Sequence, residues 1–194
     1  VATGKNPTFT EALTPVPVAL YEAVTVTTGD TLGTAQTLNS LTITVSNIRD
    51  GSNEKLLVNG VAVGSGIELS GNTAGGTLGQ VNGSNLSYAV SKSGSTTTVT
   101  LTHAGMTEAE MKAVVESLQY VNTSTDPTAG ARAINITTLV DSGSSTLPNL
   151  NTAYVTVGSA ANVSVTDTPP LLNTAGFSVT EGGSTVLTTT QLSA

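Results

Sequence analysis

The residues of this chain best suited to chemistry are its carboxylates, several of which fall in predicted turns. The sequence holds 13 Asp plus Glu against 6 Lys plus Arg, which gives a formal net charge of −7. Asp50, Asp126 and Asp167 each lie in a stretch rich in Gly, Asn, Ser or Pro. Scattered carboxylates near turns suit hard cations such as calcium, which bind oxygen ligands. The alternative is that each Asp simply forms a turn by accepting a hydrogen bond from a nearby backbone N–H.

Residue patterns that would indicate catalysis are weak in this sequence. His103 is the only histidine and has no Ser–Asp partner nearby in the sequence, whereas a catalytic triad needs three convergent groups. Cysteine is absent, so no His/Cys cluster for zinc exists. The glycine-rich stretch 71–79 lacks the Gly-Lys-Ser/Thr ending of a phosphate loop and is predicted to form a flexible hairpin. We therefore expect a non-enzymatic protein.

One short helix is predicted at about residues 107–118. Thr107 is a suitable N-cap, and Glu110 stands three residues later, as in a capping box. On the exposed face, the glutamates of this helix are expected to be solvated. Four apolar residues at helical spacing form one stripe: Met111, Val114, Val115 and Leu118. On both sides of the helix, apolar and polar residues alternate with a period of two, which indicates strands. The helix is therefore expected to pack on a sheet.

The rest of the chain is predicted to be β-structure. Thr and Val favour strands, while Gly, Asn and Ser favour turns. The predicted strands give the spacing of a β-sandwich and cover residues 8–11, 18–28, 38–48, 55–58, 61–63, 86–91, 96–103, 118–121, 133–140 and 152–165. Asn59-Gly60 indicates a two-residue hairpin turn, and residues 64–85 are predicted to be a long mobile loop.

Charge and composition disfavour two classes of partner and favour one location. The few basic residues do not cluster, so neither a nucleic-acid footprint nor attraction to anionic lipid is expected. No signal peptide or membrane-spanning run is visible, and a chain starting at Val1 suggests a piece of a longer protein. A Thr/Ser/Gly-rich, acidic chain without cysteine fits an extracellular protein, secreted or held at a bacterial surface.

Two domains are predicted. Residues 1–168 form the first, and the Asp167-Thr168-Pro169-Pro170 stretch reads as a linker. Residues 169–194 then comprise the rest of this linker and the opening strands of a second, truncated repeat. The sequence Phe177 to Gly183 echoes Phe9-Thr10-Glu11, which suggests an internal repeat.

These segments together resemble a known family. The Thr-Glu strand near residue 10, the strand–helix–strand unit ending in Tyr120-Val121-Asn122-Thr123-Ser124, and the turn at residues 47–54 are similar to the cadherin-like, immunoglobulin-type tandem repeats of giant bacterial adhesins, including repeats-in-toxin and biofilm adhesins. The resemblance covers residues 7–168. It implies a cadherin- or immunoglobulin-like antiparallel β-sandwich with one short inserted helix.

The resemblance also implies calcium at the junctions between repeats. The metal ligands that it implies here are Glu11, Asp50, Asp126, Asp141 and Asp167. Glu11, Asn122, Asp126 and Asp167 would lie at the end facing the next repeat, and Asp50, Asn53 and Asp141 at the opposite end. The chain departs from cadherins in lacking their Asp-x-Asp and Asp-x-Asn-Asp-Asn strings.

The function expected from this resemblance is a structural spacer that supports cell adhesion or biofilm formation. Its partners would be neighbouring repeats of the same polypeptide, like repeats on another cell, or a host surface, without membrane insertion. The alternative is a ligand-binding or self-associating module that recognises glycan, although the chain has no Trp for stacking on sugars. A remoter alternative is an accessory domain of an enzyme.

Overall fold

The computed structural model describes residues 2–28, 36–142, 160–168, 171–172 and 192–193. One α-helix, α1 (Glu108–Glu116), and two 3-10 turns, Gly51–Asn53 and Val63–Ser65, are present in these ranges. The strands in chain order are β1 (Thr3–Gly4), β2 (Thr8–Thr10), β3 (Val18–Ala19), β4 (Tyr21–Glu22), β5 (Leu38–Ser46), β6 (Glu54–Leu57), β7 (Ile67–Glu68), β8 (Thr73–Val81), β9 (Ser84–Ser93), β10 (Thr96–Met106), β11 (Gln119–Asn122), β12 (Gly130–Asp141), β13 (Ala161–Thr166), β14 (Leu171–Leu172) and β15 (Leu192–Ser193).

Two of the sheets form a sandwich, as predicted. The larger has seven strands in the order β2-β13-β12-β5-β10-β9-β8, and the smaller has four in the order β3-β11-β6-β7. Alternate residues of the central strands are buried between them, such as Leu41, Ile43 and Val45 of β5. Phe9 and Tyr120 connect the two sheets through an edge-to-face ring contact, with centroids 5.8 Å apart. The remaining pairs, β1 with β4 and β14 with β15, are separate two-stranded sheets.

The predicted helix and its cap are confirmed. The Thr107 hydroxyl accepts from the Glu110 N–H, and the Glu110 carboxylate accepts from the Thr107 N–H, at 3.2 and 2.8 Å. The four residues of the apolar stripe are all buried: Met111, Val114, Val115 and Leu118. The helix follows the last residue of β10 and leads into β11. It therefore bridges the two sheets at one end of the sandwich.

Residues 64–85, predicted to be a loop, are mostly ordered secondary structure instead. They include β7 and the nine-residue edge strand β8. The glycines of β8 made it resemble a loop, yet one of them is needed for packing, because a Cβ on Gly76 would lie 2.6 Å from the Tyr88 ring. A glycine inside a strand commonly marks such a close approach.

Two other predicted strands are shorter than expected. The stretch 18–28 contains only β3 and β4. The Asn59-Gly60 turn is present, with φ of 55° and 70°, but residues 61–63 lead into a 3-10 turn rather than directly into a strand. Strand β7 pairs with β6 only from Ile67 onward. The predicted strand at 152–165 is confirmed for 161–166, and its first half, like most of 169–194, lies outside the described residues.

The first and last strands of the sandwich run parallel, whereas a wholly antiparallel sandwich was predicted. Thr10 of β2 lies opposite Thr166 of β13. Three backbone hydrogen bonds flank this pair and connect Asn162 to Lys5, Ser164 to Pro7 and Glu11 to Thr166. The first and last segments of the sandwich are therefore tied together along much of their length.

The register of the strands defines two ends of the sandwich. Gly130 lies opposite Val165, so the start of β12 and the last residues of β13 share one end, which we call the carboxylate end because Glu11, Asp126 and Asp167 lie there. The last residues of β12 and β10 lie at the other end. We call it the helix end because α1 follows β10 there. β12 has 12 residues, so the ends are about 40 Å apart.

Candidate interface at the carboxylate end

Glu11 and Asp167 lie side by side at the point where the chain leaves the sandwich. The Glu11 N–H donates to the Thr166 carbonyl at 3.2 Å, and the Thr168 N–H donates to the Glu11 carboxylate at 3.0 Å. Glu11 therefore holds the last strand through both its backbone and its side chain. The sequence prediction placed these two carboxylates at the same end, and the structure brings them together.

Glu11 affects the ionisation of Asp167. Loss of surrounding water, followed by the hydrogen bond and negative charge of Glu11, raises the pKa of Asp167 above its ordinary value, while the Thr168 N–H lowers it. A raised pKa means that the folded protein holds this proton more tightly than the unfolded chain does. A bound cation would relieve the same repulsion between the two negative charges.

Asp50 lies at the carboxylate end, not at the opposite end where it was predicted. Its carboxylate accepts hydrogen bonds from the Asn122 side-chain amide at 2.6 Å, the Thr128 N–H at 3.0 Å and the Arg132 guanidinium at 3.1 Å. The placement error has a simple cause: β5 runs toward the carboxylate end, so the turn that follows it must lie there. Asn53 is at this end too, since its carbonyl accepts from the Thr123 N–H.

A buried ion-pair network supports this turn. Arg132 is fully buried and donates to both oxygens of Glu54, at 2.9 and 3.1 Å, and Glu54 is also fully buried. The Tyr120 hydroxyl donates to Glu54 at 2.8 Å, and the Glu54 carboxylate also accepts from the backbone N–H groups of Arg49 and Asp50. Burial, then the charge and hydrogen bond of Glu54, raise the pKa of Tyr120.

The network fixes the turn that carries Asp126. The Asn122 side chain accepts from the Ser124 N–H, the Ser124 hydroxyl accepts from the Asp126 N–H, and the Thr128 N–H reaches Asp50. Asp126 itself is exposed at the tip of this turn. The side chains that position the turn are thus Asp50 and Asn122, which in turn depend on Arg132.

Asp141 lies far from the other predicted ligands. It is the last residue of β12, opposite Leu38, and so belongs to the helix end as predicted. The structure therefore places Glu11, Asp50, Asp126 and Asp167 at one end of the sandwich and Asp141 at the other.

Calcium fits these residues only in part. Within the described ranges, no three His, Cys, Asp or Glu side chains converge as a metal-binding group. Asp50 does not suit a cation, because N–H donors and the Arg132 charge already occupy its oxygens. Glu11 and Asp167 do suit one, but two carboxylates fall short of the 6–8 oxygen ligands of calcium. Further oxygens would have to come from water or from a neighbouring unit.

The outward face of the larger sheet is uncharged and mostly polar in the described residues. Outward positions on β2, β13, β5, β10 and β9 carry only Ser, Thr, Asn or Ala; those at the centre are Ser40, Thr42, Thr44, Ser46, Thr96, Thr98, Thr100, Thr102, Ser87, Ala89, Ser91 and Ser93. The net charge of −7 must therefore be carried by other surfaces of the chain. We call this surface the hydroxyl face.

Two residues considered for chemistry have structural contacts. His103 is buried near the end of β10, where Nδ1 accepts from the Gly105 N–H at 3.0 Å and Nε2 lies 2.9 Å from the Val81 carbonyl. Glu108, predicted to be solvated, accepts instead from the Thr28 N–H and hydroxyl at 2.6 and 3.0 Å. No sequence signal pointed to this contact, because the two residues are 80 positions apart.

The stability contributed by Asp50 should depend on pH. Burial alone would raise its pKa, but the hydrogen bonds from Thr128 and Asn122 and the charge of Arg132 lower it overall. A carboxyl group with a lowered pKa stabilises the fold above its unfolded value of about 3.9, and this stabilisation disappears as the pH falls through the folded pKa. We expect Asp50→Asn to lower the free energy of unfolding by about 1–3 kcal/mol at pH 6.

Urea unfolding of the wild type and Asp50→Asn, from pH 6 down to pH 2, checks this expectation. The gap between the two should narrow below about pH 4. Asp126→Asn makes the same chemical change at an exposed position and is the control. A gap that stays constant down to pH 2 would show that ionisation of Asp50 is not involved.

No helix among the described residues is long and apolar enough to cross a membrane.

Comparison with known proteins identifies no relative of this chain. Neither protein families, curated proteins nor solved structures yield a match to this chain.

Proposed function

We propose that this chain is a non-enzymatic spacer module from a large extracellular adhesin of a bacterium, of the cadherin-like tandem-repeat type. The observation that carries the proposal is the path of the chain. Residues 2–10 run toward the carboxylate end alongside β13, and the chain leaves at that end after Thr168. At the start, Thr3 pairs with Glu22 of β4, and Gly4 lies against Ala160, just before β13.

This path suits modules joined end to end. Because residues 2–10 run toward the carboxylate end and the chain leaves there, a following unit would adjoin that end and a preceding unit would lie on the side of the helix end. Repeats joined in this way extend by one sandwich length, about 40 Å, per copy. Such an array would hold a terminal binding module away from the cell, which is how a spacer supports adhesion or biofilm formation.

We further propose that calcium stiffens the junction at the carboxylate end. Glu11 and Asp167 would contribute two carboxylates, the exposed Asp126 could add a third from its turn, and the following repeat and water would supply the remaining oxygens. The repulsion between Glu11 and Asp167 favours a cation there. In this arrangement the calcium site would be complete only where two repeats meet.

A fusion in which residues 1–170 occur twice, followed by residues 171–194, would test this function. We expect small-angle X-ray scattering to show a particle about twice as long as one copy, and about 5 mM calcium to raise the melting temperature, because a ligand of the native state stabilises it by RT ln(1 + [L]/Kd). Glu11→Gln with Asp167→Asn should abolish the calcium effect, whereas Asp141→Asn, at the other end, should leave it. A side-by-side particle would refute the spacer, and an unchanged calcium effect in the double variant would refute the junction site.

The hydroxyl face favours one alternative, a module that binds glycan or a like repeat. A broad uncharged surface lets two acidic chains approach without charge repulsion, and its hydroxyl groups both donate and accept hydrogen bonds. Sedimentation and glycan-array binding of the wild type and of Thr42→Arg with Thr100→Arg would test it. Binding lost in the double variant would support this alternative, and its absence in the wild type would exclude it.

A further inference from the structure

Two Asn-Gly turns in this chain share the same preceding residue and the same backbone conformation. Val58-Asn59-Gly60 follows β6, and Val81-Asn82-Gly83 joins β8 to β9. The φ angles are 55° and 70° in the first turn and 48° and 77° in the second, all in the left-handed region. This is the backbone of the two-residue turn that Asn-Gly favours. Any difference in the chemistry of the two turns must therefore come from the fold around them.

An Asn-Gly pair can modify itself without an enzyme. The glycine nitrogen attacks the carbonyl carbon of the asparagine side chain, and the side-chain nitrogen leaves as ammonia with the proton of the glycine N–H. Water then opens the five-membered imide at either of its two carbonyls, which yields aspartate or isoaspartate. Glycine favours this reaction because it has no Cβ to obstruct the attack.

Each turn must open before the imide can form. The left-handed backbone directs the glycine nitrogen away from the asparagine side chain, so the attack needs a backbone rotation that the closed turn does not allow. The rate therefore follows the ease of local opening, which varies across a folded protein. Hydrogen bonds that keep a turn closed should protect its asparagine.

Asn59 is held by two hydrogen bonds. Its backbone N–H donates to the Ser117 hydroxyl at 2.8 Å, and its side-chain amide donates to the Leu78 carbonyl at 3.3 Å. A Cβ on Gly79 would lie 3.8 Å from the nitrogen of this amide, so β8 lies close to the side chain as well. The first turn is thus tied both to the end of α1 and to β8.

Asn82 is less constrained. It is exposed at the tip of the β8–β9 hairpin, and within the described part of the chain its side chain has no hydrogen-bond partner. The nearest fixed point is Val81, which pairs with Ser84 and whose carbonyl lies 2.9 Å from Nε2 of His103. Exposed loop tips are where proteins open most readily. The second turn can therefore open without breaking a contact of its asparagine side chain.

We propose that Asn82 is a site of spontaneous deamidation, at which the chain gains one negative charge, and that the fold protects Asn59. The hairpin tip lies at the helix end, because Ser87 pairs with Thr102 near the end of β10. The product places a carboxylate within residues 69–91, a stretch with no charged residue. In the proposed array this charge would lie on the side of the preceding unit, but the reaction itself requires only the turn.

Storage of the full chain in mildly alkaline buffer, followed by tandem mass spectrometry, tests the proposal. Both turns lie in one tryptic peptide, residues 56–92, so its fragment ions compare the two asparagines within the same molecule. In the folded protein, we expect aspartate plus isoaspartate to form at Asn82 about tenfold faster than at Asn59, because two hydrogen bonds protect Asn59. In urea the two rates should agree, since a valine precedes and a glycine follows each asparagine.

Ser117→Ala is the matched variant. It removes the acceptor of the Asn59 N–H and should speed the reaction at Asn59 while leaving the rate at Asn82 unchanged. A melting temperature measured in parallel shows whether the variant stays folded.

Two results in the wild type would overturn the proposal. The two asparagines could react at equal rates in the folded protein, or Asn82 could react in urea and stay intact in the folded protein. An Asn59 rate that does not respond to Ser117→Ala would overturn the protective role given to this hydrogen bond. None of these results depends on whether the module acts as a spacer, which the tandem fusion tests separately.

Discussion

Replacing Arg132 with methionine is expected to destabilise the fold by about 3–5 kcal/mol, the largest effect of any substitution discussed here. Arg132 and Glu54 are both fully buried, and the guanidinium donates to both Glu54 oxygens. Removing the cation leaves a buried carboxylate with no opposite charge, and a buried pair broken on one side costs about this much. Asp50 loses a partner as well. Urea unfolding followed by far-ultraviolet circular dichroism measures the change.

Three further variants separate the charge from the packing. Arg132→Lys keeps the charge but not the forked geometry, so it should recover only part of the loss. Arg132→Met with Glu54→Leu removes both buried charges and should recover more, because apolar replacement of a whole buried pair is often tolerated. Lys112→Met, at an exposed ion pair with Glu116, is the surface control and should change stability by less than about 1 kcal/mol. If Arg132→Met loses no more than this control, the network is not important for stability.

Replacing Leu118 with alanine is expected to cost about 2–5 kcal/mol, the second-largest effect. Leu118 is fully buried at the end of the apolar stripe of the helix, and its carbonyl accepts from the Leu20 N–H at 3.0 Å. Truncating a buried leucine loses the transfer free energy of its side chain and leaves a cavity. Urea unfolding provides the measurement.

The chain offers a matched control for this substitution. Leu13→Ala removes the same atoms from a side chain that is 97% exposed, so it should change the stability of the sandwich by less than about 0.5 kcal/mol. Equal losses at the two positions would mean that the helix is not packed on the core as described.

Local rules predicted the helix and most long strands correctly from the sequence. The capping box at Thr107 and the stripe ending at Leu118 depend on residues within one or two turns of each other. β5 and β10 alternate between buried, mostly aliphatic residues and less buried Ser or Thr, and this period of two is visible in the sequence itself. Each of these signals is complete within about a dozen residues.

The contacts at the carboxylate end join residues that are far apart in the sequence, so local sequence patterns did not predict them. Glu54 and Arg132 are 78 residues apart, and neither stands out locally, since a charged residue within a strand normally faces solvent. Asp50 was assigned to the wrong end because that assignment requires the direction of β5 in the finished sheet. Strand β8 was missed because its glycines favour a loop, and the contact that explains one of them, the Tyr88 ring against Gly76, is not visible in the sequence.

The parallel pairing of β2 with β13 has a mechanical consequence. Tension along the chain pulls the first residue of β2 toward the helix end and the last residue of β13 in the opposite direction. The two strands therefore slide past each other along their length. The bonds from Ser164 to Pro7 and from Glu11 to Thr166 are then loaded together in shear. A pair peeled apart from one end would instead break its bonds one after another. A sandwich joined in this way resists stretching most strongly along the direction in which an array of such modules would be pulled.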